Sequence, residues 1–455
     1  MRLMALLIIL LLPALPACVS YDLEHEQILM EFSSGDPELA VEKYKDTGFT
    51  GSEFLTDTEV ATVASALGQW ELAREYFLDA ADFTKDLDRE ELINPESVGE
   101  ALVRWTLTER VGPYRPEGYE RVMLHASLAM TYLADGLLDD ALVEVRLADW
   151  ILTGDEKLYE KSYAAGGLAH FISAVCYELR GKLDDAIIDY RRMEEKGVGR
   201  DLARPELIRL SKMLGKREEA ARLSRRYGDT AEIPDDAASI ILIAGVGLGP
   251  VKREFRMDIP TGEGLLSWAV PEYVGRPQPV SHLEISGWGL AEPVRTMVIE
   301  DVTHTATENL KDRIFWLASR SAVRAVLKRE LTKYLTEEWG SWGILVGNLF
   351  SLLTEQADLR CWHTLPDTWQ AVRVFVPPGE TRLVIDAVGG DTHDLGPFHL
   401  LPGETAFVFA RTAGTRLFTN VVGGRRVADG TVRGEHRPLE YIPMSDQRAD
   451  QGADR

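Results

Sequence analysis

The chain has 455 residues, 45% hydrophobic and 27% charged, so a wholly disordered chain and a collagen-like one are excluded. Lys+Arg is 50 against 73 Asp+Glu, a net charge of −23, which lacks the basic footprint of a nucleic-acid binder. Three cysteines are too few for a disulfide scaffold.

Residues 1–18 place Arg2 before an apolar run from Leu3 to Leu12, a signal-peptide pattern too short and too Pro-interrupted to span a bilayer. The run ends Leu15-Pro16-Ala17-Cys18, which resembles the lipobox of bacterial lipoproteins, although Pro16 is unusual there. The resemblance implies that the Cys18 thiol takes a diacylglycerol, that the chain is cut before Cys18 and that the new amine is acylated, with palmitate among the chains carried. Several acyl chains anchor stably where one does not. Val19 and Ser20 follow with no Asp, so the expected place is the outer membrane, facing the periplasm.

From 19 to 235 the chain is acidic and helical in pattern. Residues 19–100 alone carry 21 acidic side chains against 5 basic, a net −16. A Gly, an Ala five residues on and an aromatic or apolar residue four further recur. Gly35, Ala40 and Tyr44 form the first set, Gly68, Ala73 and Phe77 the second, Gly136, Ala141 and Val145 the third, and Gly181, Ala186 and Tyr190 the fourth. Gly215 and Ala220 close the series with Ser224 in the third place. These sets resemble tetratricopeptide repeats, in which Gly turns the chain between paired helices and the small Ala lets them pack closely. Ala129 with Tyr132, and Ala174 with Tyr177, fit the preceding helices; the first unit lacks a full preceding helix. This register puts Met123, Ala126, Met130, Leu133, Leu168, Phe171 and Val175 on the concave face as partner-binding candidates. So apolar a groove needs a cover. The expected cover is a helix, from residues 90–118, from 339–354 or from a partner. If the chain covers itself, the partner site is expected on the acidic convex face.

After a polar linker at 229–236 the period changes. Ser239–Ala244 and Val251–Ile259 read as strands joined into a hairpin by the Gly-rich 245–250. Further strands are expected at 281–286, 293–302, 370–376, 381–388 and 404–411, with Pro377-Pro378-Gly379-Glu380 as a turn. A helical insert is expected at about 307–356. Its uncharged stretch Trp339–Thr354 reads as a buried hairpin or as a membrane- or partner-inserting element. Residues 431–455 read as a polar, disordered tail.

Three stretches together carry a further resemblance: 118–149, Gly249-Pro250-Val251-Lys252-Arg253, and 354–366 with Arg360-Cys361-Trp362-His363. They are similar to a family of bacterial lipoproteins with tetratricopeptide repeats and a C-terminal β-rich domain. That resemblance implies no activity.

The fold class is therefore α+β. Residues 1–18 are a lipoprotein signal peptide, 19–235 an α-solenoid of tetratricopeptide-like repeats, and 239–430 a small antiparallel β-sandwich-like domain with the helical insert. No His-Glu-x-x-His, Cys-x-x-Cys or Gly-x-Ser-x-Gly is present, and no metal or other cofactor is expected. Asp391-Thr392-His393-Asp394 has metal-ligand residue types but reads as a turn. Cys361 beside His363 reads as a packed corner rather than a thiol nucleophile, and His125 with His170 as equivalent packing positions. The expected function is a lipid-anchored envelope scaffold that binds other envelope proteins, in envelope assembly or cell-wall synthesis. The alternatives are an enzyme using a cleft in the β-rich half, or a membrane-active module acting through 339–354.

Overall fold

The computed structural model describes residues 17–46, 50–93, 114–158, 160–261, 264–312 and 358–426. Among the described residues ten helices form five successive pairs: α1 (Ala17–Ser34) with α2 (Pro37–Tyr44), α3 (Glu53–Ala66) with α4 (Trp70–Ile93), α5 (Gly118–Ala134) with α6 (Leu138–Leu158), α7 (Gly167–Leu179) with α8 (Leu183–Lys196), and α9 (Arg200–Met213) with α10 (Arg217–Tyr227). Each repeat glycine lies at a corner. Gly68, Gly136, Gly181 and Gly215 share φ of 69 to 73°, a left-handed conformation that favours Gly. Ala40, Ala73, Ala141 and Ala186 are fully buried in the second helices, and Tyr44, Phe77, Val145 and Tyr190 are buried one turn later. The pairs are thus tetratricopeptide-like repeats. The first is more complete than the sequence pattern implied, because α1 supplies a preceding helix of 18 residues.

The remainder is built of strands, with one further helix at 302–312. The strands are β1 (Ala238–Val246), β2 (Val251–Thr261), β3 (Gly264–Val274), β4 (Leu283–Gly287), β5 (Val294–Arg295), β6 (Met297–Asp301), β7 (Thr368–Val376), β8 (Gly379–Ala387), β9 (Thr392–Leu400), β10 (Thr405–Ala413), β11 (Arg416–Val422) and β12 (Arg425–Arg426). One sheet has the order β11-β10-β1-β7-β6, a second has β12-β9-β8-β4-β5, and β2 forms a two-stranded sheet with β3 among the described residues.

Two expectations are corrected here. β1 and β2 do not form a hairpin: β1 pairs with β7 and with β10, and the β10 pairing is parallel, so the sheet is not purely antiparallel. The reason is burial. Every residue of β1 is buried, which only a central strand covered on both faces permits. Ile240, Leu242 and Ala244 join Leu283, Ile285, Leu383, Ile385 and Phe398 of the second sheet in one apolar cluster. Ile241 and Ile243 point the other way, into a cluster made mainly of helical residues. β3, β9, β11 and the two-residue β12 are strands the sequence reading did not place.

Of the other expected segments, most of 1–18, all of 431–455, and all of 313–357 (including Trp339–Thr354) lie outside the described residues. No helix among the described residues is long and apolar enough to cross a membrane.

Candidate partner-binding surface

The seven groove candidates come together, but none is available to a partner. Ala126, Leu133, Leu168, Phe171 and Val175 are fully buried, Met123 is 2% exposed and Met130 5%. They share a cluster with Ile241, Ile243, Ala371, Phe407 and Phe409 of the first sheet and with Cys361, Trp362 and Leu365. The chain thus covers its own apolar face, with a sheet and the extended stretch 358–366 contributing among the described residues; residues 94–113 and 339–354, the expected helical covers, lie outside them. The sequence could not show this. A strand buried on both faces needs a second apolar partner, but periodicity does not name it.

Polar groups set the register of this contact. The Glu59 carboxylate of α3 accepts from the backbone N–H of His363 (2.5 Å) and Thr364 (2.9 Å). The Glu120 carboxylate of α5 accepts from Trp362 N (3.0 Å), Tyr114 OH (2.6 Å) and Glu117 N (2.8 Å). Lys252 Nζ lies 2.8 Å from Glu117 Oε1, with both side chains buried. Gly249 N donates to Leu365 O (2.7 Å). All three stretches that carry the family resemblance therefore meet at one interior node.

Burial raises the Glu59 carboxyl to about 7 against the pull of those N–H donors, and raises that of Glu120 as well. His363 stacks on His25 of α1 at a centroid distance of 4.2 Å. Burial lowers both imidazoles, that of His25 to about 3, so both are neutral at pH 7. Cys361 is fully buried and its thiol is pushed up to about 12, chiefly by burial. A thiolate is suppressed there and a substrate has no approach. Cys176 is likewise buried, with its thiol at about 12.

Two further ties join the halves. Arg373 of β7 reaches both Glu178 oxygens (3.0 Å each) and Glu206 Oε2 (2.8 Å), and Arg209 bonds the same two carboxylates. Burial would raise Glu178, but Arg209 and Arg373 hold it at about 2. Glu300 of β6 accepts from Gly167 N (2.6 Å) at the start of α7, where a carboxylate complements the helix dipole. Gly167 is required there, because a Cβ would stand 1.7 Å from Ile299 O.

Burial raises the Glu300 carboxyl to about 7, against the hydrogen bonds to it. A raised folded pKa adds stability below the unfolded value near 4.5, and this is lost as pH rises through 7. Thermal melts should therefore show the stability of wild type relative to Glu300→Gln falling between pH 5 and pH 8, by up to about 3 kcal/mol at 1.36 kcal/mol per pKa unit. A difference that stays constant with pH would refute this.

The other residues singled out have structural partners. His125 Nδ1 lies 2.6 Å from Glu144, and His170 Nδ1 3.1 Å from Asp189, each on the companion helix of its own pair. Asp391 closes the turn between β8 and β9, but Thr392–Asp394 are already strand, since β9 starts at Thr392. There Asp394 pairs with Arg382, and His393 Nδ1 lies 3.0 Å from Thr419 Oγ1. No group of metal-binding side chains occurs among the described residues.

The corner turns outside this interior carry many acidic side chains. The second helix of each pair starts with acid: Glu38, Glu71, Asp139 with Asp140, Asp184 with Asp185, and Glu218 with Glu219. Salt bridges run between successive corners, Arg74 to Asp135, Arg180 to Asp139, and Lys216 to Asp184. The corners from α4 to α10 therefore line one edge.

No family model and no curated relative matches the chain. Among solved structures, the MamA protein is 15% identical, with a TM-score of 0.31 over 47% of this chain and 98% of that one. A Podosopora anserina putative kinesin light chain with nearly identical TPR-like repeats is 18% identical, with a TM-score of 0.30 over 45% of this chain and 90% of that one. A Rap protein complexed with competence and sporulation factor is 17% identical, with a TM-score of 0.29 over 48% of this chain and 55% of that one. The repeat assignment rests on the helix pairs themselves.

Proposed function

We propose that the protein is a lipid-anchored scaffold of the bacterial envelope, held by Cys18 and presenting an acidic edge to a basic segment of a partner protein. In this reading the helix pairs form an α-solenoid and the two larger sheets a β-sandwich that occupies its concave side. The supporting observation is the division of the surface. The apolar face is closed by the chain itself, and the corner turns keep exposed carboxylates at Glu71, Asp140 and Asp185. Charge complementarity of this kind speeds encounter and is weakened by salt.

Affinity capture from native envelope with the tagged chain tests the edge. A defined partner should be captured by wild type, released by salt and lost with Glu71→Lys/Asp185→Lys, while the melting temperature is unchanged. Equal capture by the reversed chain would refute the edge. Metabolic labelling with palmitate tests the anchor: wild type should be labelled and Cys18→Ser should not. Equal label in both would overturn the lipid attachment.

A further inference from the structure

Helix α6 is apolar on two sides. Ala141, Val145, Ala148 and Leu152 are buried inward. On the outer side Val143, Leu147 and Trp150 are 46%, 39% and 45% exposed, and the space a Gly154 Cβ would fill is open. The spacing of these four positions is 4, 3 and 4 residues, the seam of a coiled coil. Asp139 and Asp140 stand in the first turn of α6, and Lys157 in its last. Ile188, 47% exposed, follows Val143 by the interval that separates Gly136 from Gly181 and so extends the patch onto α8.

We propose that this face of α6 binds a second copy of the chain, with the two α6 helices antiparallel about a two-fold axis. The helix is complementary to itself in one register. Running it against its copy with Leu147 opposite Trp150 also sets Val143 opposite Gly154 and Asp140 opposite Lys157. Trp150 then faces the smaller Leu147, Val143 faces the open space at Gly154, and each acidic start faces a basic end. A parallel pairing would instead place Asp139 and Asp140 against their own copies. One seam per copy is small for a permanent interface, so the dimer is concentration-dependent. Asp140 also stands on the acidic edge, but self-association of the purified chain is read without any other partner and without the anchor, so this proposal can fail while the edge stands, and the reverse.

Sedimentation equilibrium of the full chain across a dilution series, in a Cys18→Ser background, should show reversible dimers. Leu147→Glu should raise the dissociation constant at least about tenfold. Asp140→Lys should weaken the dimer, and adding Lys157→Asp should restore it, which a merely destabilised helix would not do. Under mild oxidation, Val143→Cys mixed with Gly154→Cys should give a cross-linked dimer, while Val143→Cys alone should not. Monomer at every concentration, dimers indifferent to Leu147→Glu, or self-cross-linking of Val143→Cys would each overturn the proposal.

Discussion

Replacing Arg373 with Met should cost about 3–5 kcal/mol of folding stability, the usual penalty for stranding one side of a buried ion pair. The Arg373 side chain is 5% exposed and its guanidinium contacts both Glu178 and Glu206, leaving two carboxylates balanced by Arg373 and Arg209. Without Arg373, one buried negative charge lacks compensation. Urea or thermal unfolding measures the loss. Adding Glu206→Gln to Arg373→Met should recover part of it, because the two sites share one charge balance and are not additive. A cost below about 1 kcal/mol, or no recovery in the double variant, would mean that the quartet does not hold β7 against α7 and α9.

Trp362→Ala should destabilise by a similar amount, about 3–5 kcal/mol, through the cavity it leaves. Trp362 is 1% exposed and packs against Phe54 and Phe77 of α3 and α4. Its Nε1–H donates to Thr62 Oγ1 at 3.1 Å, and its backbone N–H to Glu120 at 3.0 Å. Trp362→Phe retains most of the volume and loses only the indole hydrogen bond, so it should cost markedly less. The two variants together separate packing from hydrogen bonding. Equal melting of Trp362→Ala and wild type would show that the stretch 358–366 is not a structural wedge between helices and sheet.

The sequence by itself determined the local features of this protein. A Gly followed by Ala and an aromatic at fixed offsets marks helix corners, because each of those residues answers to contacts within one helix pair. The left-handed corners at Gly68, Gly136, Gly181 and Gly215, and the buried Ala and aromatic positions that follow them, stand where that spacing puts them. The apolar run Ser239–Ala244 likewise marked a strand, though not its central place in the sheet.

Only the tertiary structure decided what those surfaces meet. The groove side chains were legible as an apolar face, but whether such a face binds a partner or its own chain depends on contacts between residues hundreds of positions apart. Ile241 and Phe407 join the same buried cluster, and Glu59 ties the helices to it by holding two backbone N–H groups of the stretch 358–366. β9 and β11 were missed for a related reason. Asp391-Thr392-His393-Asp394 has turn-forming composition, yet it is drawn into a strand because β8 offers a ladder of backbone partners, with Arg382 ready for Asp394. Propensity is a weak local preference, and a sheet with an open edge overrides it. Pairing within a helix hairpin acts over tens of residues and leaves a period in the sequence. Pairing of strands, and of a sheet with a helical face, acts over the whole chain and leaves none.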